Sequence, residues 1–178
     1  MPAISIKGLD KIIGKFEDLS KNVQNDIQLA LNSYIIDVQR DAKNLVTDKS
    51  TYEGNLGSSI DVEYGDGSVA IFSRLRYAAY IEFGTRRLAA EYIAILPQDW
   101  QTYAATFKGK GSGGGTFDDF LIALTKWAEK RYGIKDPEQV YNIAKKIMIL
   151  GIRPKPFLYP SIRKNLPQLI ADLKDIVK

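Results

Sequence analysis

GLDKIIGKFEDLSKNVQNDIQLALNSYIIDVQRDAKNLV, residues 8–46, carries apolar side chains in steps of three and four along its whole length. Leu9, Ile12, Phe16, Leu19, Val23 and Ile27 lead into Leu31, Tyr34, Val38, Ala42 and Leu45, and polar residues fill the opposite face. That period is the α-helical one, so the stretch is predicted to form one long helix, or two that meet near Ser20, a residue suited to an N-cap. Full burial of a single Leu or Ile contributes roughly 1.5–3 kcal/mol. A stripe of this length can anchor a domain, and core packing is the reading preferred for it.

Downstream, Thr47 to Gly57 reads as a polar, glycine-bearing loop. Ser59-Ile60-Asp61-Val62-Glu63-Tyr64 then alternates apolar and polar residues, the period of a half-buried strand. Gly65-Asp66-Gly67 is a turn signal, and Ser68 to Ser73 is the return strand. An isolated hairpin is marginal in water. This one is expected to pack on the long helix and to join further strands, from Ile152–Phe157 or from a neighbouring subunit.

The middle of the chain holds Arg76-Tyr77-Ala78-Ala79-Tyr80-Ile81-Glu82-Phe83-Gly84-Thr85-Arg86-Arg87. Tyr77, Tyr80 and Ile81 share a helical face, and Gly84 stands where a helix end needs positive φ. Glu82 lies among apolar residues shortly before Arg86 and Arg87, and a carboxylate there needs a partner or water. Its plain reading is a local salt bridge or an exposed side chain; its sharper reading is an acid held for a contact between subunits. After Thr85, Ile93-Ala94-Ile95 reads as a short extended piece, and Pro97 opens a helix running to about Phe107.

Lys108 to Gly115 has the composition of a flexible linker. It departs from the phosphate-loop pattern, because Gly111 follows Lys110 where Ser or Thr is needed and no buried strand precedes it. Thr116 with Asp119 forms a capping box for a helix whose apolar face is Phe117, Phe120, Leu121, Leu124, Trp127 and Ala128, with Gly133 as its end. Asp136-Pro137 opens another helix, with Val140, Ile143, Ala144 and Ile147 as its stripe and Gly151 as its stop. The two form a helical hairpin. Pro154 and Pro156 hold Ile152 to Phe157 extended, at a sheet edge or in a contact arm. Pro160 starts a last helix, in which Pro167 implies a kink or a restart.

These pieces make an α+β fold: a long N-terminal amphipathic helix packed on a small antiparallel β-sheet, with an inserted helical hairpin and a C-terminal helix. The length of 178 residues suits a single domain, 1–178, with the helical insert at about 88–150.

Composition narrows the chemistry. There is no cysteine and no histidine, which removes thiolate and imidazole metal sites and the serine–histidine and cysteine–histidine catalytic pairs. Asp61, Glu63 and Asp66 are the nearest thing to a carboxylate cluster, and a solvated strand face accounts for them without a metal. The reading is therefore a non-enzyme without cofactor. No apolar run reaches the length of a membrane span, and Met1-Pro2-Ala3-Ile4-Ser5 lacks the basic start of a secretory signal, so a cytoplasmic site of synthesis is expected. The net charge is +4, unevenly spread. From Gln139 to Ala171 there is no acid, while Lys145, Lys146, Arg153, Lys155, Arg163 and Lys164 all fall there, and Arg74, Arg76, Arg86 and Arg87 form a second cluster. Clustered positive charge favours polyanions or acidic protein faces. A nucleic-acid-binding module using the basic segment 145–164 is thus the alternative function, although no helix-turn-helix spacing or RNA-binding motif is present.

Tyr77-Ala78-x-Tyr80-x-Glu82-Phe83-Gly84-Thr85, followed after an insert by Arg153-Pro154-x-Pro156-Phe157-Leu158-x-Pro160, resembles the tailed-bacteriophage head–tail joining family, also called tail completion or neck proteins. Upstream, Gly54-Asn55-Leu56-Gly57-Ser58-Ser59-Ile60 is similar to that family's Thr-Gly-x-Leu-Arg-x-Ser-Ile, with Glu53 and Gly57 standing where relatives carry Thr and Arg. The resemblance spans nearly the whole chain and is weakest from Leu88 to Gly115. It implies a structural protein of the virion neck that acts as a homo-oligomeric ring, hexameric or dodecameric. Its partners would be other neck, portal-side or tail proteins, with non-specific contact to genomic DNA in the lumen and none to membrane. Its place would be the virion's head–tail junction, after assembly in a host cytoplasm from a phage or prophage gene. The expected interface residues are Tyr77, Tyr80, Glu82, Phe83, Gly84, Thr85, Arg86, Arg153, Pro156, Phe157 and Leu158. Large rigid side chains of this kind dominate protein interfaces.

Overall fold

The computed structural model describes residues 20–50, 55–75, 77–107 and 116–177, without the side chains of 48–50. Its elements run α1 (Lys21–Ser50), α2 (Asn55–Ser58), β1 (Ile60–Gly65), β2 (Ser68–Ser73), α3 (Ala78–Phe83), α4 (Arg86–Ile93), α5 (Gln98–Ala105), α6 (Phe117–Tyr132), α7 (Pro137–Leu150) and α8 (Leu158–Ile176). The α+β class expected from the sequence is the one found. Contacts divide the chain into two compact units, Met1–Ala78 with Pro156–Lys178, and Ala79–Lys155.

The first unit is built on α1. Its buried stripe is Ile27, Leu31, Tyr34, Ile35, Val38, Ala42 and Val46. The Ser20 carbonyl accepts from the Gln24 amide at 3.0 Å, so the first turn closes where the sequence suggested a cap. β1 and β2 pair antiparallel from Ile60↔Ser73 to Gly65↔Ser68, and Gly67 supplies the positive φ of the turn. Two neutral amides fasten this hairpin along α1. Gln28 Oε1 accepts from the Gly67 amide at 2.8 Å, and Gln39 Nε2 donates to the Ile60 carbonyl at 2.8 Å. Ile60 and Ile71 are the buried side chains of the hairpin.

α8 also packs on α1. Ile162, Leu169 and Leu173 supply its buried stripe, joined by Phe157 and Leu158 at its start. Asp41 of α1 sits at the polar edge of the pair. Asn165 Nδ2 donates to its Oδ2 at 2.8 Å, and Lys164 Nζ lies 2.9 Å from the same oxygen. The Asn165 hydrogen bond, followed by the Lys164 contact and charge, holds the Asp41 carboxyl below its ordinary range despite its burial. Asn165 Nδ2 also reaches the Ser161 carbonyl, and Ser161 Oγ donates to the Phe157 carbonyl at 2.6 Å.

The second unit contains the helical hairpin. Leu124 and Ala128 of α6 meet Val140 and Ala144 of α7, and the two alanines let the helices approach closely. The Thr116–Asp119 capping box, Gly133 in the left-handed region and the Asp136 N-cap with Pro137 behind it are all as the sequence dictates. Asp119 is held below the ordinary carboxylate range by the Thr116 backbone and hydroxyl.

Several expectations are corrected. α1 runs on through Thr47, whose hydroxyl donates to the Lys43 carbonyl, and a short helix with Leu56 buried occupies part of the expected loop. Val46 is buried more deeply than Leu45, because the continued helix turns that residue inward. Among the described residues the sheet has two strands, and Ile152–Phe157 forms none. Ile93-Ala94-Ile95 is the end of α4 and the turn after it, not an extended piece. α8 begins two residues before Pro160, whose missing amide falls in the first turn where none is needed. Pro167 neither stops nor restarts α8; it removes one internal hydrogen bond while the buried stripe continues on both sides. The glycine-rich segment 108–115 and the apolar residues before Ser20 lie outside the described residues.

Two predictions follow from the packing of α1. Tyr34 is 4% exposed, burial pushes its phenol far above its ordinary value, and among the described residues its Oη meets no hydrogen-bond partner. Tyr34→Phe is therefore expected to leave stability unchanged or raise it by about 1 kcal/mol in urea unfolding, and a clear loss would reveal a hidden partner. Asp41→Ala is expected to cost about 1–2 kcal/mol at pH 7. Because the folded Asp41 carboxyl titrates below the unfolded one, its stabilisation is present above about pH 4 and is lost as the pH falls through the folded value. The gap between wild type and variant should accordingly close in acid.

Candidate functional site

The two motif stretches meet in the second unit, through backbone and the Thr85 hydroxyl. The Thr85 amide donates to the Ile152 carbonyl at 3.0 Å, and the Ile152 amide donates to Thr85 Oγ1 at 2.8 Å. One turn away, the Lys155 amide donates to the Ile81 carbonyl at 2.8 Å. Two glycines make this approach sterically open. Gly84 has φ +75°, and a Cβ there would lie 2.6 Å from the Ile152 carbonyl oxygen and 2.9 Å from Pro154 Cδ. Gly151 has φ +95°, and a Cβ there would overlap the Thr85 carbonyl oxygen and stand 2.6 Å from its carbon. In the sequence both read as helix stops. They are also the points where two chain segments touch without side chains between them.

On the α3 side of the junction, Phe83 is buried in an aromatic cluster. Its ring centroid lies 6.1 Å from Trp100, 5.9 Å from Tyr103 and 6.1 Å from Phe107. Tyr103 meets Phe107 edge-on at 5.1 Å. Such offset and edge contacts add about 0.5–1.5 kcal/mol each beyond burial. Glu82, beside Phe83, is only 2% exposed, so of its two plain readings, a local salt bridge or an exposed side chain, exposure is not what is found. Burial and then the Glu82 charge push the Tyr103 phenol up to about 12.

On the other side stands Arg86, a non-glycine residue with φ +55° at the start of α4. Left-handed backbone costs an ordinary L-residue about 1–2 kcal/mol. Here it lets the chain turn from the Gly84–Thr85 junction straight into α4. That helix was missed from sequence; the Arg87–Glu91 pair at i,i+4, 2.8 Å in the fold, was its available signal.

The expected interface residues thus separate by exposure. Tyr77, Arg86 and Arg153 are exposed, Tyr80, Thr85 and Pro156 are partly buried, and Glu82, Phe83 and Gly84 are core. Phe157, 1% exposed, and Leu158 are core of the first unit. Of the expected basic surface, Lys145, Lys146, Lys155 and Arg163 are exposed. Arg74 pairs with Asp61 at 2.9 Å, Lys164 pairs with Asp41, and Arg76 lies outside the described residues. Residues 79–155 hold twelve basic and eight acidic side chains, an excess equal to the whole chain's net charge; the remaining residues hold thirteen of each. Among the described residues no group of three or more acids converges as a metal site would require, and no helix is long and apolar enough to cross a membrane.

The glycine contacts give a paired test. Gly151→Ala is expected to destabilise the protein by about 3 kcal/mol or more, combining backbone strain with overlap on Thr85. Gly133→Ala, also at positive φ but with nothing within 4 Å of its Cβ, should cost about 1–2 kcal/mol. Equal losses in thermal unfolding would show that close approach contributes nothing.

No curated protein and no solved structure matches the chain. Residues 10–84 do match a family model, described as "Bacteriophage HK97-gp10, putative tail-component". The matched stretch, under half of the chain, is similar to that family and ends on Gly84, the glycine of the first motif.

Proposed function

We propose that the protein is a structural, non-catalytic component of the phage head–tail junction that completes the neck as a homo-oligomeric ring. The observation that carries the reading is the match of residues 10–84 to a phage tail-component family. A component of that kind works by contact with other virion proteins, and the chain is equipped for contact. Tyr77, Met148, Ile149 and Ile152 leave large apolar surface exposed, of the kind that marks interaction sites. In this reading the junction of the two motif stretches is a rigid support, and residues 88–150 are an insert that enlarges the contacting surface. Phe157, being core, stabilises the chain; the exposed residues make the contacts.

Native mass spectrometry across a concentration range tests the reading. A single closed species, hexameric or dodecameric, is the expected result. A monomer at every concentration, with DNA binding that persists at moderate salt, would favour the basic segment as a nucleic-acid site instead.

A further inference from the structure

Two exposed surfaces of the molecule carry opposite charge, each around large apolar side chains. The hairpin, Ile60–Ser73, contains Asp61, Glu63 and Asp66 and no base. Arg74 pairs with Asp61, which leaves exposed Glu63 and Asp66 on either side of Tyr64, itself 51% exposed. Gln28 fixes that hairpin's turn on α1, and the neighbouring Leu29 is exposed. The second surface is the end of α7 and the run after it. Gln139–Lys155 contains no acid, and Lys145, Lys146 and Arg153 are exposed there. Interleaved with them are Met148, Ile152 and Ile149, the last 64% exposed.

Aliphatic side chains set among charges of one sign have the anatomy of a protein interface, an apolar centre with a polar rim. Phosphates would need the bases alone and would gain nothing from Met148 or Ile149. The matching surface must offer apolar area and carboxylates together, and the hairpin tip of a second copy offers both. We propose that the Glu63-Tyr64-Asp66 tip of one copy seats on the Lys145–Arg153 surface of the next. The two patches differ, so the contact is heterologous, the kind that repeats around a ring. This inference rests on the self-association reading above and names the surfaces that meet.

The absence of native cysteine makes introduced thiols clean reporters. Tyr64→Cys and Ile149→Cys, made in separate chains and checked for folding by circular dichroism, are mixed and oxidised with diamide. A disulfide-linked heterodimer is expected, and it should be lost when either variant is oxidised alone. In parallel, Glu63→Lys with Asp66→Lys should weaken self-association about tenfold or more, as should Lys145→Glu with Lys146→Glu, and all four changes in one chain should restore it. A dominant 64–64 or 149–149 link would overturn the heterologous contact. Wild-type oligomers without the mixed link would overturn the named surfaces while leaving the ring. Loss of DNA binding in Lys145→Glu with unchanged self-association would reassign the basic surface to nucleic acid. A wild type that stays monomeric would overturn both the ring and this contact.

Discussion

Two backbones that touch without side chains between them organise the second unit. Gly84 and Gly151 each adopt a positive φ, and each lies where a Cβ would strike the opposite segment. The resulting hydrogen bonds between Thr85 and Ile152 tie residues 67 positions apart. Everything else in the junction accommodates this contact. Arg86 takes a left-handed backbone so that α4 can leave it, and Phe83 enters its aromatic cluster from the helix that ends at Gly84. The same geometry explains why two short motifs so far apart in sequence read as a pair.

The first unit follows a different logic. One apolar stripe on α1 receives a hairpin and a helix, and polar side chains fix their positions along it. Gln28 and Gln39 fasten the hairpin at its turn and its start, while Asp41 fastens α8 through Asn165 and Lys164. The apolar surface supplies the bulk of the stability, and the polar contacts choose one arrangement among those the stripe would tolerate.

How much of this was legible depended on how local the signal was. The stripe from Ile27 to Ala42, the Asp66–Gly67 turn, the Thr116 box and the Asp136-Pro137 start are written within a few residues, and each reads correctly. α4 was missed because Thr85 and Arg86 mask its start: the Thr85 hydroxyl accepts from Ile152 rather than capping the helix, and Arg86 has a backbone no sequence rule assigns to arginine. The burial of Glu82 and the second role of Gly151 depend on segments that meet only in the folded chain. The end of α1 was misplaced because Thr47 satisfies itself on the Lys43 carbonyl, so a residue that favours loops continues the helix.

The division of the chain also bears on how it folds during synthesis. The second unit is one continuous segment, Ala79–Lys155, whose helices can pack as soon as they leave the ribosome. The first unit closes only when α8 returns to α1, across the 124 positions that separate Asp41 from Asn165. Until the last helix is made, the apolar stripe of α1 has the hairpin on it and lacks α8. The nascent chain therefore holds all of Ala79–Lys155 before α8 is made and the first unit can close.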